Sequence, residues 1–243
     1  DVFVLHPGGH LTGTADGGGG TNSFTCNEAP AVTDAVTVAL RTNVEGTSIV
    51  LGNVTSIAGN GHPDSVLARS SEGTTWTLSS ATLAGTANEV AFTGFPNVSG
   101  GSGPDVFHMT LDSSATSVPV AVTDTGTDPA ITDTLNVTVA VGPDIEVTPT
   151  AVTAGSALVA FNSGLDEVKV TGSPASDAFS VIPSTTAEIT VDGAGSDTPD
   201  GNLLGLPRTN TPDSVTVAGH KIVRYLNFAS AVVPVTLSHM SME

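Results

Sequence analysis

A short pattern recurs along the chain and limits its possible folds more than any other feature. It is an Asp followed by apolar residues at alternate positions, as in DVFVL at 1–5, DAVTV at 34–38, DTLNV at 133–137, DEVKV at 166–170 and DAFSV at 177–181. Alternating apolar positions are typical of β-strands with one buried face, and the preceding Asp, Gly, Pro or Ser marks a turn. The sequence therefore predicts many short strands, each introduced by a turn.

The spacing of these turn residues favours a stacked arrangement. Asp133, Asp144, Asp166 and Asp177 follow one another at steps of 11, 22 and 11 residues. A fixed step suits the rungs of a solenoid, although short strands with regular turns also occur in β-sandwiches. We predict an all-β parallel β-solenoid with irregular insertions, and two tandem β-sandwiches as the alternative.

The composition divides this fold into two regions. Residues 1–110 and 132–243 form an N-terminal and a C-terminal β-repeat region. Residues 111–131, which are rich in Ser, Thr, Asp and Pro, are expected to form a linker or an inserted loop. The opening DVF repeats the DVF of residues 105–107. We therefore expect the chain to begin in the middle of a repeat, as a processed product or a piece of a longer protein would.

Charge and cysteine content exclude several classes of protein. The 243 residues contain 6 Lys and Arg against 24 Asp and Glu, for a net charge of −18, so the chain lacks the basic surface that nucleic-acid binding needs. Cys26 is the only cysteine, which excludes an internal disulfide and a thiolate metal cluster. No apolar run approaches the ~18 residues of a membrane-spanning helix.

Residues 100–108, GGSGPDVFH, fit the nonapeptide G-G-x-G-x-D-x-U-x, and residues 16–24 resemble it with Asn22 at the Asp position. Glycine permits a turn with positive φ, and the Asp supplies either an oxygen ligand or an acceptor for N–H groups. Tandem copies of this motif form calcium-binding parallel β-helices in secreted toxin-type proteins. We expect Ca²⁺, if bound, at turns that contain Asp105, Gly101, Gly103, Asn22, Asp64 and Asp144.

Two longer stretches resemble repeats of very large bacterial surface proteins of the adhesin type. They are WTL at 76–78 with VAFTGFPNVSGGSGPDVF at 90–107, and SDAFSVIPS at 176–184 with ITVDG at 189–193. This resemblance implies an extracellular or cell-surface β-solenoid that serves as an adhesin, sheath or surface-layer segment. It also implies stiffening by calcium, although the nonapeptides in this chain are not in tandem.

The sequence contains few signs of catalysis. H-E-x-x-H, G-x-S-x-G and G-x-x-x-x-G-K-[ST] are all absent. His6 and His10 could share a metal, but we interpret them as exposed turn residues, because no third ligand is fixed near them. Asp197 and Asp200 are close enough in sequence to be considered as a hydrolase pair, but they lie in a predicted loop without the aromatic residues of a sugar site. We predict no enzymatic activity, with a carbohydrate-active or glycan-binding β-helix protein as an alternative.

The C-terminal end differs in charge from the rest of the chain. Residues 205–243 contain Arg208, Lys221 and Arg224 against two acidic residues, a net of +1 that leaves −19 for residues 1–204. Uncapped solenoid ends also expose unpaired backbone groups. We therefore predict a non-catalytic module that associates head to tail or in a lattice, forming a filament, sheath or surface layer. Its partners would be copies of itself, the rest of a longer parent chain, or surface glycans. A further alternative is a calcium-stiffened segment of a giant secreted protein.

Overall fold

The computed structural model describes residues 1–6, 14–26, 37–40, 49–52, 54–59, 61, 66–69, 73–112, 119–126, 128–141, 144–175, 177–194, 213–216 and 218–228. All regular secondary structure within these ranges is β-strand, which confirms the all-β prediction. None of the described residues belongs to a helix that could cross a membrane.

Short strands form throughout the described ranges, as the alternating apolar positions predict. The strands are Val2–Leu5 (β1), Thr14–Asp16 (β2), Ser23–Cys26 (β3), Thr37–Leu40 (β4), Ile49–Gly52 (β5), Ser56–Ala58 (β6), Val66–Arg69 (β7), Thr75–Ser79 (β8), Ala84–Ala87 (β9), Val90–Thr93 (β10), Asn97–Ser99 (β11), Val106–Asp112 (β12), Val120–Thr123 (β13), Thr134–Val141 (β14), Asp144–Val147 (β15), Ala151–Ala154 (β16), Ala157–Phe161 (β17), Glu167–Thr171 (β18), Ala178–Val181 (β19), Glu188–Asp192 (β20), Asp213–Val215 (β21) and Val223–Leu226 (β22).

These strands form two sheets between which the chain passes repeatedly. The first sheet has 12 strands in the order β1-β3-β6-β10-β9-β8-β12-β14-β18-β20-β22-β21. The second has 10 strands in the order β19-β15-β16-β17-β13-β11-β7-β4-β5-β2. Most neighbours in both sheets are parallel, so the fold is the predicted parallel β-solenoid.

The parallel ladders continue through the segment that was expected to be a linker. Leu111 and Asp112 end β12, which pairs with β14, and residues 120–123 form β13 between β11 and β17. The alternative of two tandem β-sandwiches is therefore not observed. Residues 113–118 and 127 of the segment lie outside the described ranges.

The irregular insertions are antiparallel meanders, one in each sheet. β8, β9 and β10 form the meander in the first sheet, and β15, β16 and β17 form the one in the second. In the first meander a Cβ at Gly85 would lie 1.7 Å from the carbonyl oxygen of Thr77, so only glycine fits between the strands. The second meander accounts for the step of 22 residues from Asp144 to Asp166. That step is a half-turn with an insertion, and not two equal rungs.

Apolar side chains from both sheets form one core. In the first sheet the second residue after each turn occupies the same inward column, so Trp76, Phe107, Leu135 and Val168 are neighbours on successive strands. The rings of Trp76 and Phe107 stack with their centroids 6.0 Å apart. This column explains why the pattern Asp-x-apolar recurs.

Candidate functional sites: an acidic corner and an open sheet edge

The chain turns from the second sheet to the first at a stack of loops. Three successive loops of this stack are residues 100–105, 124–133 (described except for residue 127) and 162–166, and they end at Asp105, Asp133 and Asp166. The strands that follow, β12, β14 and β18, are adjacent in the first sheet. The three aspartates therefore fall in one row, although they are far apart in sequence.

Backbone N–H groups connect the members of this row. The N–H of Thr74 donates to Oδ1 of Asp105 at 2.8 Å. The N–H of Asp105 donates to Oδ1 of Asp133 at 2.7 Å, and the N–H of Asp133 donates to Oδ2 of Asp166 at 3.0 Å. Each carboxylate thus accepts the N–H of the residue that ends the neighbouring turn, directly before its strand, where an unsatisfied buried N–H would be costly.

The N-terminal turns repeat this arrangement with an amide. The amino group of Asp1 donates to Oδ1 of Asn22 at 2.7 Å, and the N–H of Ser23 donates to the carbonyl of Asp1. Asn22 therefore occupies the corner position of Asp105, as the second nonapeptide-like copy predicts.

Asp124 reaches the row from the other sheet. It follows β13, and its Oδ1 accepts the N–H of Gly126 at 2.5 Å. Its backbone is fixed by Asn162, whose Oδ1 accepts the N–H of Asp124 at 2.9 Å and whose Nδ2 donates to its carbonyl at 2.7 Å. The second carboxylate oxygen, Oδ2, is buried and has no hydrogen-bond partner among the described residues.

Asp105, Asp124 and Asp133 form a cluster that we call the acidic corner. One carboxylate oxygen of each lies within 4.8 Å of the other two, and the residues are 0%, 3% and 3% exposed. A Cβ at Gly100 would lie 2.5 Å from Oδ2 of Asp105 and 2.8 Å from Oδ2 of Asp124. Gly100 does not have a positive φ, so its backbone conformation does not by itself require glycine. Glycine is required here because the carboxylates fill the space.

Burial and mutual repulsion disfavour the charged form of the cluster. The pKa of Asp124 is raised to about 7, mainly by burial and to a smaller extent by the carboxylates of Asp133, Asp105 and Asp166, while the N–H of Gly126 lowers it. Burial also raises the pKa of Asp105 and Asp133, with a smaller contribution from the neighbouring carboxylate in each case. Three buried carboxylates need a proton or a cation to coexist at this separation.

A pocket of about 490 Å³ opens beside the acidic corner. Its acidic lining residues are Asp124, Asp128, Asp133 and Asp166. None of the described residues that line it is aromatic or basic. The pocket therefore offers carboxylate and other polar oxygen atoms, but its described lining has no basic side chain to balance the acidic charge and no aromatic ring on which a ligand could stack.

The structure brings together only part of the predicted calcium set. Asp105 lies at the acidic corner, the N–H of Gly101 donates to its Oδ2 at 2.8 Å, and Gly103 is buried in the same loop. Asn22 lies at an equivalent corner elsewhere in the stack, and Asp144 is exposed at the start of β15, outside the cluster. Asp64 lies outside the described residues.

Sequence reasoning missed two members of the cluster. The repeat pattern places Asp133 at a turn but does not mark it as a ligand, and Asp124 lies in the segment 111–131 that the composition predicts to be a linker or an inserted loop. The available signal for Asp124 was the D-T-G turn directly after the V-A-V-T strand pattern. The other signal was the position of Asp133, which introduces a strand of the same type as Asp105 does.

The remaining candidate residues do not join this cluster. His6 is exposed, while His10, Asp197, Asp200 and Arg208 lie outside the described residues. Lys221 is exposed. Arg224 forms an ion pair with Glu188 on the neighbouring strand, so part of its charge is already compensated within the chain.

The first sheet ends at an open edge. Among the described residues, its terminal strand β1 pairs with β3 and with no second strand, and Val2 and Val4 on β1 are 72% and 44% exposed. Within the described ranges, the other large exposed apolar side chain is Ile182, which follows β19, the terminal strand of the second sheet at the opposite end.

No protein-family model matches this chain, and no curated protein or solved structure matches it significantly. The resemblance to repeats of bacterial surface proteins therefore stays a prediction.

Proposed function

We propose that this protein is a non-catalytic structural or adhesive module, located outside the cell or on its surface, that associates with its own copies end to end. The observation that carries this proposal is the edge of β1, which is the terminal strand of a parallel ladder within the described part of the chain and carries two exposed valines. Copies stacked in this way would form a filament, sheath or surface layer.

Strand physics supports a second copy as the occupant of this edge. A terminal strand carries unpaired N–H and C=O groups, and proteins that stay monomeric protect such edges with charges, bulges or covering segments. β1 offers Val2 and Val4 at its surface, where a protected edge would have Lys or Pro. Val2 and Val4 alternate with Phe3 and Leu5, which pack against the core, so the valines lie on the outer face of β1, where a strand added by a second copy would partly cover them.

The charge distribution adds a weaker argument. The near-neutral C-terminal end could approach the acidic body of the next copy with less repulsion than two acidic bodies would experience. Lys221 is the better candidate for such a contact, because Arg224 already pairs with Glu188. Neutralising Lys221 should therefore weaken assembly more than neutralising Arg224.

Light scattering coupled to size-exclusion chromatography tests the assembly proposal. Val4→Lys introduces a charge at the open edge, and Thr110→Lys introduces the same charge on an exposed position of the central strand β12. The proposal predicts multimers for the wild type and Thr110→Lys, and monomers for Val4→Lys. A monomeric wild type, or multimers of unchanged size in Val4→Lys, would contradict it.

The pocket favours one second candidate, a carbohydrate-active or glycan-binding protein. Clustered aspartates, one of them with a pKa raised to about 7, are the groups that a glycosidase uses as acid and base. However, glycosidases separate their two carboxyl groups by about 5–5.5 or 6.5–9.5 Å, whereas these oxygens cluster within 4.8 Å. The described lining also lacks the aromatic residues on which sugars stack. Release of reducing sugar from acidic polysaccharides, lost in Asp124→Asn, would establish this alternative.

A further inference from the structure

We propose that Asp105, Asp124 and Asp133 form a binding site for one hard divalent cation, with Ca²⁺ preferred, that fastens neighbouring corners of the solenoid. The site is distinct from the open edge of β1, and it does not depend on whether the protein assembles.

Asp124 provides the observation that raises this cluster above a group of neighbouring acids. Its Oδ2 is buried without a hydrogen-bond partner in the described part of the chain, and the residue is only 3% exposed. The same oxygen and Oδ2 of Asp105 both face the space in front of Gly100, at 2.8 and 2.5 Å from the position of a Cβ there. A buried carboxylate oxygen without a donor is costly, and a cation would satisfy it.

The distances and atom types fit calcium. Ca²⁺ binds oxygen ligands at about 2.3–2.6 Å, so two of its ligands can be up to about 5 Å apart. The three carboxylate oxygens lie within 4.8 Å of one another, and the cluster includes neither histidine nor cysteine. Zinc and copper prefer such nitrogen and sulfur ligands, whereas an all-oxygen site selects a hard cation.

Backbone donors orient the carboxylates before any ion arrives. Oδ1 of Asp133 accepts the N–H of Asp105, and Oδ1 of Asp124 accepts the N–H of Gly126. Asp105 accepts the N–H groups of Thr74 and Gly101. Hydrogen bonds of this kind fix metal ligands in the binding geometry and reduce the entropic cost of binding. Water from the adjacent pocket would complete the coordination.

The three ligands come from different points in the stack. Asp105 precedes β12, Asp133 precedes β14, and Asp124 follows β13 of the opposite sheet. One ion would therefore connect the turns that precede β12 and β14 of the first sheet with the end of strand β13 in the second sheet. This ligand set differs from the turn residues that the nonapeptide pattern implies, since two of its three members lie outside the motif.

Calcium titration of metal-free protein, followed by calorimetry and thermal unfolding, tests the site. At a calcium concentration about 100 times the dissociation constant, we expect the wild-type midpoint to rise by about 5–10 °C. Asp124→Asn should lose this rise. Asp16→Asn is the control and should keep this rise. Oδ1 of Asp16 accepts the N–H of Gly18, as Oδ1 of Asp124 accepts that of Gly126, but Asp16 lies outside the cluster. The proposal would be overturned if the wild type showed neither heat of calcium binding nor a shift of its thermal unfolding midpoint. It would also be overturned if Asp124→Asn showed the same shift as the wild type.

A measurement on the wild type keeps the test decisive if Asp124→Asn does not fold. Hydrogen exchange should slow on calcium addition at the amides of Gly101, Asp105 and Gly126, which donate to the proposed ligands. The amide of Gly18 serves as the reference and should not change. Equal protection of Gly18 and these three amides, or no protection at any of them, would contradict a local site.

Discussion

The N–H of Asp105 donates to Oδ1 of Asp133 at 2.7 Å across 28 residues of sequence. This bond connects the starts of two adjacent strands, β12 and β14, and both residues are buried. One aspartate therefore has two roles, since it satisfies the backbone of the neighbouring turn and belongs to the acidic corner.

The two roles of Asp133 can be separated by substitution. Asp133→Ala removes the acceptor and leaves the N–H of Asp105 buried without a partner, which should cost about 1–3 kcal/mol of unfolding free energy. Asp133→Asn keeps an acceptor and removes one charge from the cluster, so without calcium it should be at least as stable as the wild type. Urea denaturation in chelator measures both values. Equal destabilisation by the two variants would contradict this division of roles.

The acidic corner predicts an inverse dependence of stability on pH in the absence of divalent cations. The pKa of Asp124 is about 7 in the folded chain, above the ordinary value of about 3.9. Between these values the folded state binds more protons than the unfolded state, so stability falls as pH rises through 7. Asp105 and Asp133 act in the same direction.

Thermal unfolding in chelator across this pH range provides the measurement. The midpoint of the wild type should fall between pH 5 and pH 8, and that of Asp124→Asn should fall less. A rising midpoint, or identical slopes in both proteins, would show that the cluster does not carry the effect.

The space in front of Gly100 gives a steric test. A Cβ there would lie 2.5 Å from Oδ2 of Asp105, so Gly100→Ala should displace a carboxylate, lower stability and weaken the calcium response. Gly19→Ala is the control, because a Cβ at Gly19 would have no neighbour within 4 Å. Similar unfolding midpoints and calcium shifts for both variants would mean that the corner tolerates the methyl group.

The stack of Trp76 on Phe107 should dominate the stability of the neighbouring turns. Both rings are fully buried, and Phe107→Ala should lower the free energy of unfolding by about 3–5 kcal/mol. Trp76 is the only tryptophan, so its fluorescence reports unfolding directly. A loss below about 1 kcal/mol, as expected of a surface position, would argue against this packing.

The sequence predicted the strands and their inward residues well because these follow local rules. The Asp-x-apolar pattern placed Phe107, Leu135 and Val168 in the core, and the parallel solenoid was confirmed. Asp105 was identified as a site residue through its glycine-rich motif. The division into two regions around residues 111–131 stays a prediction, although β13 forms within that segment.

The acidic corner was not predictable in the same way, because it depends on which turns become neighbours. Asp124 and Asp105 belong to different loops, and they meet only because β11 and β13 are adjacent in the second sheet. The meanders add uneven numbers of residues between turns, which obscures the register that an even repeat would reveal. The step from Asp144 to Asp166 looked like two rungs for this reason.

Negative-stain electron microscopy of the wild-type protein, in millimolar calcium and in chelator, tests the central claim most directly. A structural module that associates through its solenoid ends should form filaments or sheets whose repeat matches the length of one chain. Isolated short particles under both conditions would contradict that claim.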